Sequence, residues 1–469
     1  MSKNHHGVRK LKGIDAFCSP RHQRSKGESY GRMFDLPPLT THPRSLKKLG
    51  KQKGPMDEGK DIKHTRSVAV GDVFFGQFID HDVTLDASTR LSSTVDISQL
   101  ENARTPTLDL DCIYGQGPEA HPYLYFSEGD FSGVKLLTGS DYPNATDLQK
   151  NDLIRSVHGT AIIGDPRNDE NRIISQLQLA MIRFHNRVVD ELAPRYEKSE
   201  LFEESRKLVT WHYQWVVIHD FLVTMCGDAV VDDILGNGCQ FYKGSYDDVF
   251  IPVEFSVAAY RFGHSMVPQT IRVTKGGPEL ELFGPLLGRG FSPLSDLKAV
   301  VDWSVLVGPR RDEDVQRAKR MDTKMATDLL KLPFIPTDDE QSLATRNLLR
   351  GQIFSLPSGE NIAKAMSRPQ AEIDKVSETA TSVAGDDIDI STGTPLWFYI
   401  LTEAEIIGKE TREDKFRPGE GLGPIGSRIV AETLISLIKL DPNSYMSVNR
   451  NWEPSDGLRV SNLRKMLNF

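Results

Sequence analysis

The sequence predicts a mainly α protein folded as one large helical domain with few short strands. Three observations carry that expectation. Apolar residues recur at helical spacing over several long stretches, alternating strand patterns are scarce, and no segment repeats. Hydrophobic residues make up 38% and charged residues 26% of the 469, the balance of a globular chain rather than a disordered one. The compact domain is expected over 31–469, after a basic, disordered N-terminal arm at 1–30.

The arm is polar and rich in Gly, Ser and His. Residues 1–68 hold 16 Lys/Arg and 6 Asp/Glu, a balance of +10 in a chain of net charge −8, so the remainder carries −18. Such an arm can bind an anionic partner. A solvated tail is the expectation, and no nucleic-acid partner is read from it. Leu36-Pro37-Pro38 opens the compact part as an extended segment. Residues 45–66 read as a surface loop or a solvated helix. From Val68 to His81 the pattern turns apolar and helical. Residues 105–115 lack a helical period and read as a loop.

The clearest helix runs from Asn168 to Leu192. Asp165-Pro166 is its start signal, and Ile174, Leu177, Met181 and Val188 recur at helical spacing. Further helices are expected over 203–225, between Pro252 and Pro268, over 338–351, and as an amphipathic helix over 424–439. Residues 370–394 are polar, carry Asp386, Asp387 and Asp389, and read as a loop or insertion. The most apolar window, Leu208 to Cys226, is broken by His212, Gln214, His219 and Asp220, which makes it a buried helix and not a transmembrane segment. The N-terminus has basic residues but no apolar run after them, so no Sec-type signal peptide is read. Cys18, Cys112, Cys226 and Cys239 form no CxxC pair and no disulfide framework, and whether two of them bridge is left open.

Five clusters carry chemistry. In Gly-Gln-Phe-Ile-Asp-His-Asp at 76–82, Gln77 lies one helical turn before Asp80 and His81. A neutral imidazole there could take a proton from one peroxide oxygen and return it to the other; alone, such a histidine is more often structural. In 105–111, Thr105, Thr107, Asp109 and Asp111 alternate oxygen-bearing side chains. With Asp82 they suit a hard cation such as calcium, and a polar turn with Asp caps is the equal alternative. In Gly164–Glu170, Asp169 and Glu170 favour a helix start, whereas Arg167 opposes the dipole and needs another reason, such as stabilising negative charge on a bound peroxide. Arg261 and His264 share one helical face, where an imidazole can hold haem iron and an Arg can pair a propionate. Asn347 and Arg350 share another, and the Asn oxygen could accept the second ring N–H of an axial His.

In this order, the five stretches resemble the animal haem peroxidase family, that of myeloperoxidase and lactoperoxidase, from about Tyr30 to the C-terminus. The resemblance is greatest to its compact bacterial branch, which shares Gly-Asp-Pro-Arg-Asn-Asp-Glu-Asn at 164–171, Arg-Asn-Leu-Leu-Arg-Gly at 346–351 and Leu-Gly-Pro-Ile-Gly-Ser-Arg-Ile-Val-Ala-Glu at 422–432. The resemblance implies His81 as distal acid/base, Gln77 as the residue holding distal water and halide, and Arg167 as distal arginine. It implies His264 as axial iron ligand, Asn347 as its hydrogen-bond partner, and Arg261 and Arg350 as the arginines near the propionates. Asp82, Thr105, Thr107, Asp109 and Asp111 match the calcium ligands. Asp80 and Glu170 match the acids that, in mammalian members, form ester bonds to haem.

The implied activity is reduction of hydrogen peroxide and oxidation of phenolic or halide donors, iodide or bromide, by haem b through a ferryl species. Two departures matter. Asn171 stands where myeloperoxidase has the methionine of its sulfonium link, so that link should be absent. Asp111 stands where mammalian members carry serine, which adds a negative charge to the calcium loop. The alternative is a fatty-acid dioxygenase, whose radical tyrosine lies three residues before the proximal histidine. Arg261 occupies that place here, and Tyr260 lies one further back. A catalytically dead scaffold would lack one of the two histidines, and neither is missing. His158, His185, His212 and His219 read as structural. The resemblance implies an extracellular location.

Overall fold

The computed structural model describes residues 29–469 apart from 61, 86–90, 92–93, 98–99, 101, 103, 310 and 455–457. The predicted arm at 1–30 lies almost wholly outside the described residues, as does Cys18. Helices dominate, and the named strands pair only as four two-stranded ladders among the described residues, which is the mainly α architecture the sequence predicts. The longer α-helices are α1 (Pro43–Gly50), α2 (Val70–Val83), α3 (Arg172–Leu192), α4 (Lys198–Val216), α5 (Asp228–Asn237), α6 (Leu343–Ile353), α7 (Gly359–Ala365), α8 (Gln370–Ala384), α9 (Leu396–Ile406) and α10 (Pro424–Leu440). None of the described helices is long and apolar enough to cross a membrane. Cys112, Cys226 and Cys239 are free thiols.

α2 runs through the interior. Eleven of its fourteen residues are buried, and the others are Asp72, Gln77 and Asp80. Asp72 belongs to the helix start, where its carboxylate accepts from the Ala69 N–H at 2.9 Å. Phe75 and Phe78 meet Tyr213 of α4 edge-on at 6.0 and 6.1 Å between ring centroids. Gln77 and Asp80, one turn apart, face the central cavity instead. The helix starts two residues after the predicted Val68, because His64–Ala69 pairs as a strand with Arg317–Lys319.

The other elements depart from expectation for local reasons. Residues 166–169 form a separate 3₁₀ turn, and α3 begins only at Arg172 because Asn171 caps it, accepting from Ile174 N–H at 3.0 Å. α4 begins five residues before the predicted Glu203 and continues through a π-helical segment, Val217–Leu222, to Cys226. The Pro252–Pro268 stretch is not α-helical: Glu254–Ala258 is π and Ala259–Ser265 is 3₁₀. The loop expected at 105–115 tightens into a helical turn over Asp111–Tyr114.

Two expectations are corrected. Residues 370–394 are not a loop throughout, since α8 occupies 370–384. Ile373, Val376, Ala380 and Ala384 form a buried stripe at helical spacing, masked in the sequence by a polar outer face. α10 has the predicted extent but is not amphipathic, with thirteen of its seventeen residues buried. Its buried Glu432 is satisfied by the backbone N–H groups of Gln240, Phe241 and Tyr242, each at 2.8 Å.

Candidate active site

α2, the 166–170 turn, the 259–265 segment and α6 surround a cavity of about 450 Å³. Gln77, Asp80, His81, Arg167, Glu170, Arg261, His264 and Arg350 line it, so four segments far apart in sequence bring eight of the predicted residues to one space. Asn347 lies behind His264. Val73, Phe74, Leu282, Leu329 and Leu343 supply apolar wall.

On the side of α2, the His81 ring is buried, and its Nδ1 lies 2.7 Å from Asn168 Oδ1. Its Nε2 lies 3.8 Å from Glu170 Oε1. Burial, reinforced by the Arg167 charge, holds His81 down at about 4 against the opposing pull of Asp165 and Asp80. The ring is therefore neutral at pH 7, the state a base requires. Arg167 donates to the His81 carbonyl at 2.8 Å and pairs with buried Asp165 at 2.7 Å. Burial would raise the Asp165 carboxyl, but Arg104 and Arg167 hold it well below its ordinary range. The turn is gripped from its other face by Arg155, which meets both carboxylate oxygens of Asp169 at 2.7 Å.

The two cavity acids, Asp80 and Glu170, differ in charge. Burial would raise Asp80, but Arg261, His81 and Arg167 bring it below its ordinary value. Burial pushes Glu170 up to about 8 despite Arg167. Gln77 donates a short hydrogen bond to Glu170 Oε1, and Glu170 Oε2 is buried without a partner. Asn171, besides capping α3, reaches Gln77 at 3.5 Å.

Opposite in sequence and in element, His264 sits in the 3₁₀ segment, where residues three apart eclipse one another. Arg261 thus shares its face, donates to the Ser256 carbonyl at 2.7 Å, and stands 3.7 Å from Asp80. Burial, then Arg261, lowers His264 to about 3. Asn347 Nδ2 lies 2.8 Å from His264 Nδ1, while Asn347 Oδ1 is buried without a partner. Tyr260 also lines the cavity; its hydroxyl is buried and unpartnered, and its ring stacks on Phe255 at 4.6 Å.

Behind α2, oxygens of Asp82, Asp109 and Asp111 lie within 4.8 Å of one another. Leu110, with φ of +60°, kinks the loop between two of them. Thr105 donates to Asp109 at 3.0 Å, and Thr107 lies on the same loop. Asp82 is fully buried, and its Oδ1 has no partner. Burial and the neighbouring carboxylates raise Asp82 well above its ordinary value, and Asp111 to about 7. Arg104 contacts Asp111 at 3.2 Å and Asp165 more closely, which joins this cluster to Arg167.

Sequence reasoning missed Asn168, Gln178, Asp165 and Arg104. Asn168 stands inside the 164–171 motif without an assigned role, and Asp165 reads there only as part of a helix-start signal. Gln178 carries a weak signal, a polar residue within an apolar helical run. His185 is structural as read: its nitrogens meet Tyr114 Oη at 3.0 Å and the Val134 carbonyl at 2.9 Å.

The fold is that of peroxidases and fatty acid dioxygenases. Peroxidase A from Dictyostelium discoideum superposes with a TM-score of 0.58 at 16% identity, over 93% of this chain and 90% of that one. The Oryza sativa fatty acid alpha-dioxygenase superposes with a TM-score of 0.57 at 15% identity, over 94% and 79%. Within that class the chain belongs to the animal haem peroxidase family, whose family model matches residues 94–372. Peroxidase mlt-7 from Caenorhabditis elegans is 29% identical over 267 residues, 55% of this chain and 34% of that protein. Peroxidasin homolog pxn-2 from the same organism is 26% identical over 180 residues, 35% of this chain and 13% of that protein. The chain thus spans about a third or less of these relatives. Arg167, His264 and Asn347 fall inside the family match, and the 76–82 segment precedes it.

Proposed function

We propose that the protein is a haem-dependent peroxidase that reduces hydrogen peroxide and oxidises small phenolic or halide donors. The observation that carries the reading is the convergence of a neutral His81 beside Arg167 with a neutral His264 backed by Asn347 on one apolar-walled cavity. The donor set fits haem. Asn347 is placed with its amide nitrogen towards His264 and its oxygen orphaned. Turned over, that amide accepts from Nδ1–H, which satisfies Oδ1 and leaves Nε2 free for iron. Haem, when bound, supplies the oxidising chemistry.

The chain's own groups handle protons and charge. His81 takes a proton from the near peroxide oxygen at Nε2 and returns it to the far one, so that water leaves. Arg167, pinned by Asp165, stabilises negative charge developing on the peroxide. Gln77 orients distal water. Arg261 and Arg350 would pair the propionates of a bound haem. Asp80 and Glu170 are the candidate ester donors, with the buried, unpaired Glu170 Oε2 the free atom on one side. Asp82, Thr105, Thr107, Asp109 and Asp111 are the candidate calcium ligands. The supporting observation is the buried, unpartnered Asp82 Oδ1 among carboxylates whose mutual repulsion Arg104, at Asp111, offsets only in part.

The fatty acid dioxygenase reading draws on fold alone. Arg261 stands three residues before His264, and the unpartnered Tyr260 hydroxyl lies 120° round a 3₁₀ turn from it. Purified protein supplied with peroxide and a phenol is expected to turn over, and with oxygen and a fatty acid it is not. The reverse outcome would replace this proposal.

A further inference from the structure

A neutral imidazole carries one proton on two nitrogens, and which nitrogen holds it decides whether the ring can act as a base towards the cavity. We propose that Asn168 and Gln178 are positioning residues that lock His81 in the tautomer protonated at Nδ1, leaving the Nε2 lone pair facing the cavity. The inference rests on reading His81 as the distal base.

A backbone carbonyl can only accept, and one such carbonyl sets the direction of the whole relay. Gln178 places Nε2 3.1 Å from the Cys112 carbonyl oxygen, so that end of its amide donates. Its Oε1 is therefore an acceptor, and Asn168 Nδ2 donates to it at 2.8 Å. The Asn168 oxygen is left for His81, and it lies 2.7 Å from Nδ1. An oxygen that accepts there requires a proton on Nδ1. If Gln178 turned over, two acceptor oxygens would face each other at 3.1 Å with no proton between them.

Burial makes this ordering strict. Asn168 and Gln178 are 0% exposed and His81 is 4% exposed, so bulk water cannot substitute for a misdirected amide. The relay crosses four segments: α2, the 166–169 turn, α3 and the 111–114 turn. It orients a group that touches the cavity without either amide lining it.

The test is ring-¹⁵N histidine spectroscopy of the diamagnetic ferrous carbon monoxide holoenzyme, with cyanide affinity of the ferric holoenzyme at one fixed pH. His81 in the parent protein is expected as Nδ1–H. Asn168→Leu and Gln178→Leu are expected to shift it towards Nε2–H, keep the Soret band, and weaken cyanide binding about tenfold, because hydrogen cyanide needs a base at Nε2. Asn168→Asp, buried and protonated on the oxygen that faces Gln178, still accepts from Nδ1–H with its other oxygen and should keep the tautomer. Gln178→Glu should keep it too, since a buried, protonated glutamate donates to Cys112 and accepts from Asn168. An Nε2–H ring in the parent, or Nδ1–H unmoved by both leucine changes, overturns the proposal. Should the leucine variants fail to fold, Nε2–H in the parent or in either conservative variant overturns it, and Nδ1–H in all three supports it. A peroxide reaction that survives His81→Ala would instead remove the base assignment and leave the tautomer result standing.

Discussion

On the distal side of the cavity, polar side chains are tied to one another: His81 to Asn168, Asn168 to Gln178, Arg167 to Asp165, Asp165 to Arg104 and Gln77 to Glu170. On the proximal side, the main chain takes much of that part. Arg261 donates to the Ser256 carbonyl, and the Trp397 indole donates to the Arg261 carbonyl at 3.2 Å, with Asn347 behind His264. The difference matches the two tasks proposed for His81 and His264. An axial ligand needs a position and a lone pair. An acid/base group also needs its proton on a defined atom, and only directional contacts between donors and acceptors arrange that.

Breaking the proximal side should have the largest effect. His264→Ala is expected to yield protein without a normal Soret band, and a normal band would remove the axial assignment. Breaking the distal side should spare haem and silence the reaction. His81→Ala is expected to slow the reaction with peroxide about 10²–10⁴-fold in stopped flow, with the Soret amplitude retained; lost haem would erase the division of labour. Asp80→Val together with Glu170→Gln is expected to make haem extractable by acid-acetone, and full extraction from the parent protein would refute the ester bonds.

The candidate cation cluster bears on the distal side through Asp82 and Arg104. Calcium at about 100 times its Kd should stabilise the fold by about 2.7 kcal/mol, read as a rise in melting temperature that EGTA reverses. A melting temperature indifferent to both would argue against the site, and Asp82→Asn should blunt the response.

Proton-linked stability is the smallest effect. Burial holds His81 and His185 at about 4, below the ordinary 6.5 of a histidine. As pH falls, the unfolded chain binds these protons first. The stability tied to the neutral rings is thus full above 6.5 and is lost as pH falls towards about 4. Urea midpoints should decline over that window, less steeply in His185→Gln, and a flat profile would contradict the burial argument.

Much of the site is legible in the sequence because its chemistry sits in short contiguous runs. One segment, 76–82, carries Gln77, Asp80, His81 and Asp82, although it precedes the family match. Helical periodicity explains why these neighbours diverge, with Gln77 and Asp80 towards the cavity and Asp82 behind towards Asp109 and Asp111. Asn168 and Gln178 are not legible in that way. Amides are common in helices and carry no periodic signature, and their roles depend on a carbonyl, that of Cys112, more than fifty residues away in the chain. α8 escapes the sequence pattern for a milder reason: a four-residue apolar stripe is a weak signal when most of the surrounding residues are polar.

The helical class and most of the candidate site residues can be read from the sequence, because local periodicity and side-chain chemistry are properties of neighbouring residues. Tertiary structure alone decided the rest. Packing chose π and 3₁₀ geometry around His264 where an α-helix was expected, and it buried thirteen of the seventeen residues of α10. It also set protonation: the same carboxyl chemistry leaves Asp80 charged beside Arg261 and Glu170 neutral where burial outweighs Arg167. Those outcomes depend on which distant groups share a water-poor space, and only the folded chain brings them together.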